Sequence, residues 1–244
     1  MKFTSIVGFT ATLLVVSVAY AASATPFPAL VDGFVMDLPP GWVQIPAEAV
    51  EQAEKEVARR APNARHPHSD YALQFGNRGQ WFTYPYVLIH VDRQGRIPEP
   101  ELAKADNFSS NAATAKATDA LQNIASELDI GKMRYDPATH VLWVNTGSNV
   151  TGIGRVLGTS AIVPTQHGHI DVSGYSLERD FVGFVSVFHD LVNSITPEPS
   201  MKYQTSLLDH LPFLRGFKWE SLLTSALLGG VMAAVGGLAW RRKK

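Results

Sequence analysis

The chain has 244 residues, 45% of them hydrophobic and 18% charged, with 21 basic residues against 22 acidic ones. That is the composition of a globular protein and not of a disordered, collagenous or disulfide-rich one. The absence of cysteine excludes disulfides, thiolate metal sites and cysteine nucleophiles.

Met1 and Lys2 are followed by an uncharged apolar run over residues 6–19 and then by small residues. This is the n-region, h-region and cleavage region of a signal peptide, assigned to residues 1–24. Two A-x-A sites overlap there, Ala19-Tyr20-Ala21 and Ala22-Ser23-Ala24. An uncleaved N-terminal anchor is the alternative, and it would also send the following residues across a membrane.

Residues 25–197 are long enough for a single extracytoplasmic domain, and they show no internal repeat. The alternation in Phe34-Val35-Met36-Asp37-Leu38 predicts a strand stopped by Pro39-Pro40-Gly41, with Trp42 packing back on the sheet. A helix is expected from Pro46 over residues 46–60. Residues 71–75 alternate as a strand, Asn77-Arg78-Gly79 makes a turn, and residues 81–91 read as a longer strand. Pro85 puts part of that strand at an edge or a bulge.

Residues 100–128 are Ala-rich, and Leu102, Ala105, Phe108, Ala112, Leu121, Ile124 and Leu128 form one apolar face, which predicts a long helix. Strands are expected at 132–135, 140–145, 155–163 and 170–175, the last after the Gln166-His167-Gly168-His169 turn. Phe181, Phe184, Val185, Phe188, Leu191, Val192 and Ile195 recur at helical spacing and mark a closing helix. The element order indicates an α+β fold, an antiparallel sheet with covering helices, plus one C-terminal transmembrane helix.

The opening 34–42 segment, the element order and the final amphipathic helix resemble the PsbP/Mog1-like sandwich. The Tyr135-Asp136-Pro137-Ala138-Thr139-His140-Val141-Leu142-Trp143 hairpin and Arg155-Val156-Leu157-Gly158 are similar to a family of bacterial membrane-anchored proteins known as a domain of unknown function. What the resemblance implies is a compact non-catalytic or binding domain. It transfers no activity.

After residue 197 comes a juxtamembrane segment, 198–221. Its Leu207, Leu208, Leu211, Phe213, Leu214 and Phe217 are interleaved with Asp209, His210, Arg215 and Lys218, as in an interfacial helix that Pro212 interrupts. Residues 222–240 contain no charge and at about 1.5 Å per residue span roughly 28 Å, enough to cross the hydrocarbon. Trp219 and Trp240 bracket the run, and Arg241, Arg242, Lys243 and Lys244 place the tail, 241–244, in the cytoplasm. The expected location is a single-pass membrane protein with its main domain outside the cytoplasm, on the periplasmic face of a bacterial inner membrane. A buried core helix is the alternative to the span, although such helices do not normally end in a basic cluster at the chain terminus. A third reading makes the tail a sorting signal removed after export.

Setting aside Lys2 and the four tail charges leaves 16 basic residues against 22 acidic ones, a net charge of −6. Nucleic acid is therefore not an expected partner. The expected partners are the membrane, an unidentified protein, and a second copy of the chain through the membrane helix. There Gly229, Ala233 and Gly237 form a strip of small residues, with Ala226, Gly230 and Ala234 beside it.

For chemistry, the pointed feature is a doubled H-x-H-x-D pattern, His66-Pro67-His68-Ser69-Asp70 and His167-Gly168-His169-Ile170-Asp171. Alternating imidazoles with a carboxylate two residues on can form a zinc or copper set, so His66, His68, Asp70, His167, His169 and Asp171 are the speculative metal ligands. The adjoining second histidine of the metallo-β-lactamase motif is absent in both copies, and two polar loops whose histidines face solvent, with Pro67 and Gly168 as ordinary turn residues, are the reading set against a metal site. There is no G-x-S-x-G elbow, and Gly158-Thr159-Ser160 and Ser173-Gly174 fall inside strands. His140 and His189, lone histidines beside aromatic residues, read as structural. Gly152-Ile153-Gly154 lacks the third glycine of a dinucleotide fingerprint and reads as a loop. No catalytic residue and no cofactor are assigned. The reading is a membrane-anchored extracytoplasmic binding or assembly domain, with a metal-binding protein or metal-dependent enzyme as the alternative.

Overall fold

The computed structural model describes residues 24–29, 32–62, 68–76, 79–93, 95–206, 209 and 219–232. Residues 1–23 of the expected signal peptide, His66, Asn77 and Arg78 of the expected turn, residues 207, 208 and 210–218 of the expected interfacial helix, and the basic tail lie outside them. Strands β1 (Thr25–Ala29), β2 (Phe34–Leu38) and β11 (Thr196–Pro197) form a small sheet in the order β1-β2-β11. Strands β3 (Trp42–Gln44), β4 (Tyr71–Phe75), β5 (Tyr86–Asp92), β6 (Ala125–Ile130), β8 (Leu142–Val150), β9 (Gly154–Pro164) and β10 (His169–Leu177) form the main sheet. Its order is β3-β4-β5-β10-β9-β8-β6, and β7 (Arg134–Tyr135) pairs off the path with β8. Every pairing is antiparallel, as the element order predicts.

Two cores sandwich the main sheet. On one face lie α1 (Ala47–Arg60), α2 (Glu99–Lys104), α3 (Asn111–Leu121) and α5 (Trp219–Gly230), packed on Tyr86, Leu88, Val144, Val156 and Tyr175. On the other face α4 (Phe181–Asn193) and the small sheet bury Phe34, Met36, Trp42, Val87, Ile89, Val172 and Phe188 together. The alternation of β5 sorts its side chains between the two cores, Tyr86 and Leu88 to one and Val87, Ile89 and Val91 to the other. Gly174 lets α4 sit close, because a Cβ there would lie 2.5 Å from Phe184 Cζ and 2.5 Å from Phe188 Cδ2.

The strands at 34–38 and 71–75, the first helix and the closing helix stand where the sequence puts them. The expected long helix at 100–128 does not form. It is replaced by α2, a 3₁₀ turn at Ala105–Asn107, α3 and β6. Asp106 Oδ1 accepts the Tyr135 N–H at 2.8 Å, and Ser110 donates to the Ile130 carbonyl at 2.9 Å. Those side-chain bonds replace helix continuation, and pairing with β8 overrides the helical preference of 125–130. The strand expected at 81–91 starts only at Tyr86, after the cis Tyr84–Pro85 bond, because β5 is an interior strand and cannot hold a proline.

Among the described residues no helix is long and apolar enough to cross a membrane. Of the 222–240 run, residues 233–240 lie outside them. Its first part belongs to α5, which starts at Trp219 and packs on α3 and across β8, β9 and β10. Of the segment before it, Lys202, Tyr203 and Asp209 contact the body. Lys202 bridges Thr165, Tyr203 donates to the Ile97 carbonyl at 2.9 Å, and Asp209 pairs with Arg96.

Candidate functional site

Two places concentrate groups that could bind or react. The first is a cleft of about 510 Å³ where the turn after β2, the β3–β4 edge of the main sheet and α4 meet. The Pro39-Pro40-Gly41 turn builds one wall. Gly41 has φ +80°, a conformation that disfavours any side chain, and a Cβ on it would crowd Phe75. The Gly76 N–H donates to the Gly41 carbonyl at 2.8 Å, which fastens the turn to the end of β4. Trp42 and Phe75, opposite each other in register, meet with ring centroids 6.4 Å apart. Phe184 of α4 stacks on Trp42 at 6.2 Å and 26°. Val187, Pro85 and Gly183 complete the floor, and Arg179 and Asp180 stand on the rim as an exposed pair 3.4 Å apart. Phe75 is 50% exposed on this floor.

The second place is a stripe of histidines and carboxylates across β4, β5 and β10. His90 and Asp171 are opposite in register, as are Asp92 and His169. His90 Nδ1 lies 3.0 Å from Asp70 Oδ2, which also accepts the Val91 N–H at 2.8 Å. His169 Nε2 lies 3.4 Å from Asp171 Oδ1. Burial alone would raise the Asp70 carboxyl, but its bonds from His90 and Val91 hold it below the ordinary value. The same bond to Asp70 raises His90 against burial. Burial disfavours charge on His169, yet the neighbouring Asp171 and Asp92 raise it on balance. The neighbouring carboxylates thus favour the protonated form of both imidazoles.

The sequence pattern therefore comes together only in part. Asp70, His169 and Asp171 share this stripe with His90, which the H-x-H-x-D reading omitted. His68 turns away to Glu54 of α1 at 3.2 Å, and His167 is exposed on the 166–168 turn. Among the described residues no group of three His, Asp or Glu side chains is placed to hold one metal ion. His140 is bonded to the Tyr135 hydroxyl at 2.7 Å, and His189 stacks on Trp143 at 4.2 Å. Ser160 and Ser173 pair with each other at 2.8 Å within the sheet. Gly229 packs on Tyr175, while Ala233 and Gly237 lie outside the described residues.

Pattern reading missed the cleft. Its signal was Phe75, a third apolar residue in step with Tyr71 and Leu73 at the end of β4.

This architecture defines an antiparallel α+β sandwich with a surface cleft. No protein-family model matches the chain, and no curated protein matches it significantly. Among solved structures it is similar to cyanobacterial PsbP (CyanoP) from Synechocystis sp. PCC 6803, at 14% identity and a TM-score of 0.44, over 74% of this chain and 95% of that one. It is also similar to LpqN, involved in cell envelope biogenesis of Mycobacterium tuberculosis, at 10% identity and a TM-score of 0.37, over 74% of this chain and 88% of that one. Both scores lie below 0.5, and neither likeness carries a function to this chain.

Proposed function

We propose that the protein is an exported, membrane-anchored binding module that receives an apolar side chain of a partner polypeptide in the cleft between β3, β4 and α4. The observation that carries the reading is the half-exposed Phe75, held edge-on to Trp42, which is itself stacked on Phe184. Rigid aromatic side chains in a desolvated pocket are the usual anchors of protein recognition, because they bury large area with little loss of rotamer freedom. The Arg179–Asp180 rim supplies polar contacts of both signs around that floor. Export and anchoring rest on the signal-peptide pattern of residues 1–24, on the uncharged run 222–240 and on the basic tail.

A photoreactive phenylalanine at position 75, in the full chain in cells, tests the reading. It should give one discrete polypeptide adduct. The adduct should be lost when Gly183, where a Cβ meets open space, is changed to Phe so that the cleft is filled. The same probe at Val182, 86% exposed on the outer side of α4, should give none. Equal labelling from positions 75 and 182 would refute the cleft as the recognition surface.

A further inference from the structure

The sheet face that carries Tyr86 and Tyr175 is built around a helix end. Tyr175 donates to the Ala226 carbonyl at 2.5 Å, Tyr86 to the Gly229 carbonyl at 2.6 Å, and Tyr84 to the Gly230 carbonyl at 2.8 Å. Tyr86 and Tyr175 are fully buried, so their hydroxyls have no water to fall back on. Burial pushes the hydroxyls of Tyr84 and Tyr175 above their ordinary value, which keeps them protonated and donating.

Three tyrosine hydroxyls thus fasten carbonyls of the last turns of α5 to the sheet. The fit depends on small residues. A Cβ on Gly229 would collide with the Tyr175 hydroxyl and lie 2.6 Å from its Cζ, and one on Gly230 would lie 3.3 Å from Cδ1 of the same ring. Leu223, Leu227, Val231 and Met232 are buried in the same core.

These residues also open the uncharged run 222–240. In a bilayer that run can continue as one helix. The segment cannot lie in the core of the body and in a bilayer at the same time. We propose that this sheet face is a receptor for an apolar helix, occupied in cis by residues 219–232, and that it competes with the bilayer for that segment. The proposal rests on reading 222–240 as able to enter a membrane. Once the run has crossed, the four charges of 241–244 oppose its withdrawal, so the choice falls when the segment first meets a bilayer.

Flotation with phosphatidylcholine and phosphatidylglycerol vesicles tests it, using the full chain recovered after export. Tyr86→Phe with Tyr175→Phe keeps the packing and removes two hydrogen bonds, and should raise the ratio of floated to free protein about 25-fold, roughly 2 kcal/mol at 1.4 kcal/mol per decade. Gly229→Leu, which clashes in the groove and suits the bilayer, should raise it in the same direction. Circular dichroism must show the strands of both forms intact; strand loss at a raised ratio would mean that unfolding, not release from the groove, drove the binding and would overturn the proposal. An unchanged ratio in both variants refutes the receptor. Complete flotation of the unaltered chain leaves the membrane reading standing and refutes the competition. Flotation of none of the three forms refutes the membrane reading and the proposal with it.

Discussion

Asp70→Asn separates the proton-holding role of the histidine stripe from simple packing. The substitution keeps shape and an acceptor for the Val91 N–H, but it removes the carboxylate charge that pairs with the His90 imidazolium and strengthens both bonds. Charge-assisted hydrogen bonds contribute about 1.5–3 kcal/mol and neutral ones about 1, and the His90 side chain is 34% exposed, so the expected loss is about 1 kcal/mol after screening. His90 is raised above 6.5, so its contribution is complete below that pH and is lost as pH rises through its folded value. Asp70 is lowered below 3.8, so its contribution is complete above that pH and is lost as pH falls through its folded value. The difference between the two proteins should therefore be largest near pH 5 and shrink by pH 9. Urea unfolding at the two pH values measures it, with a midpoint difference of roughly 0.5 M at pH 5 for an m-value of about 2 kcal/mol/M. The His90 ring resonance, followed by NMR, should titrate at lower pH in the variant. A difference that is flat with pH, or larger at pH 9, would refute the pairing.

Two further outcomes follow from the packing and from the stripe. Gly174→Val forces Phe184 and Phe188 of α4 away from β10, and overpacking of this kind costs about 1–3 kcal/mol, so the thermal midpoint should fall by several degrees; an unchanged midpoint would mean that α4 does not sit as described. The purified chain should hold no stoichiometric zinc or copper by elemental analysis, and one equivalent removed by both His90→Ala and Asp171→Ala would restore the metal reading.

Where one face of an element is buried against one partner, the sequence shows it. β2 buries Phe34, Met36 and Leu38 in strict alternation, and α4 buries Phe184, Phe188, Leu191 and Val192 at helical spacing. Where partners from distant sequence decide, it does not. Ala125–Ile130 has a helix-compatible composition, yet its backbone bonds go to β8 through an irregular register between Ser126 and Asp129. β1 carries Pro26 and Pro28, which speak against a strand, and it is tolerated because it lies at the edge of the small sheet. The histidine stripe was half legible. His169 and Asp171 stand on one strand, but His90 joins them only through the β5–β10 register. The apolar run, its Trp bracket, its basic tail and its small-residue strip in the sequence all point to a membrane, and nothing local shows that Tyr84, Tyr86 and Tyr175 bond the carbonyls of α5.

The central claim, a binding body held outside the cytoplasm by its C-terminal segment, is tested most directly by reporter fusions that are active on one side of the membrane only. A reporter that works only outside the cytoplasm, fused after Asn193 at the end of α4, should be active, and the same reporter fused after Lys244 should be inactive. The reversed pattern, or activity at neither position, would contradict the account.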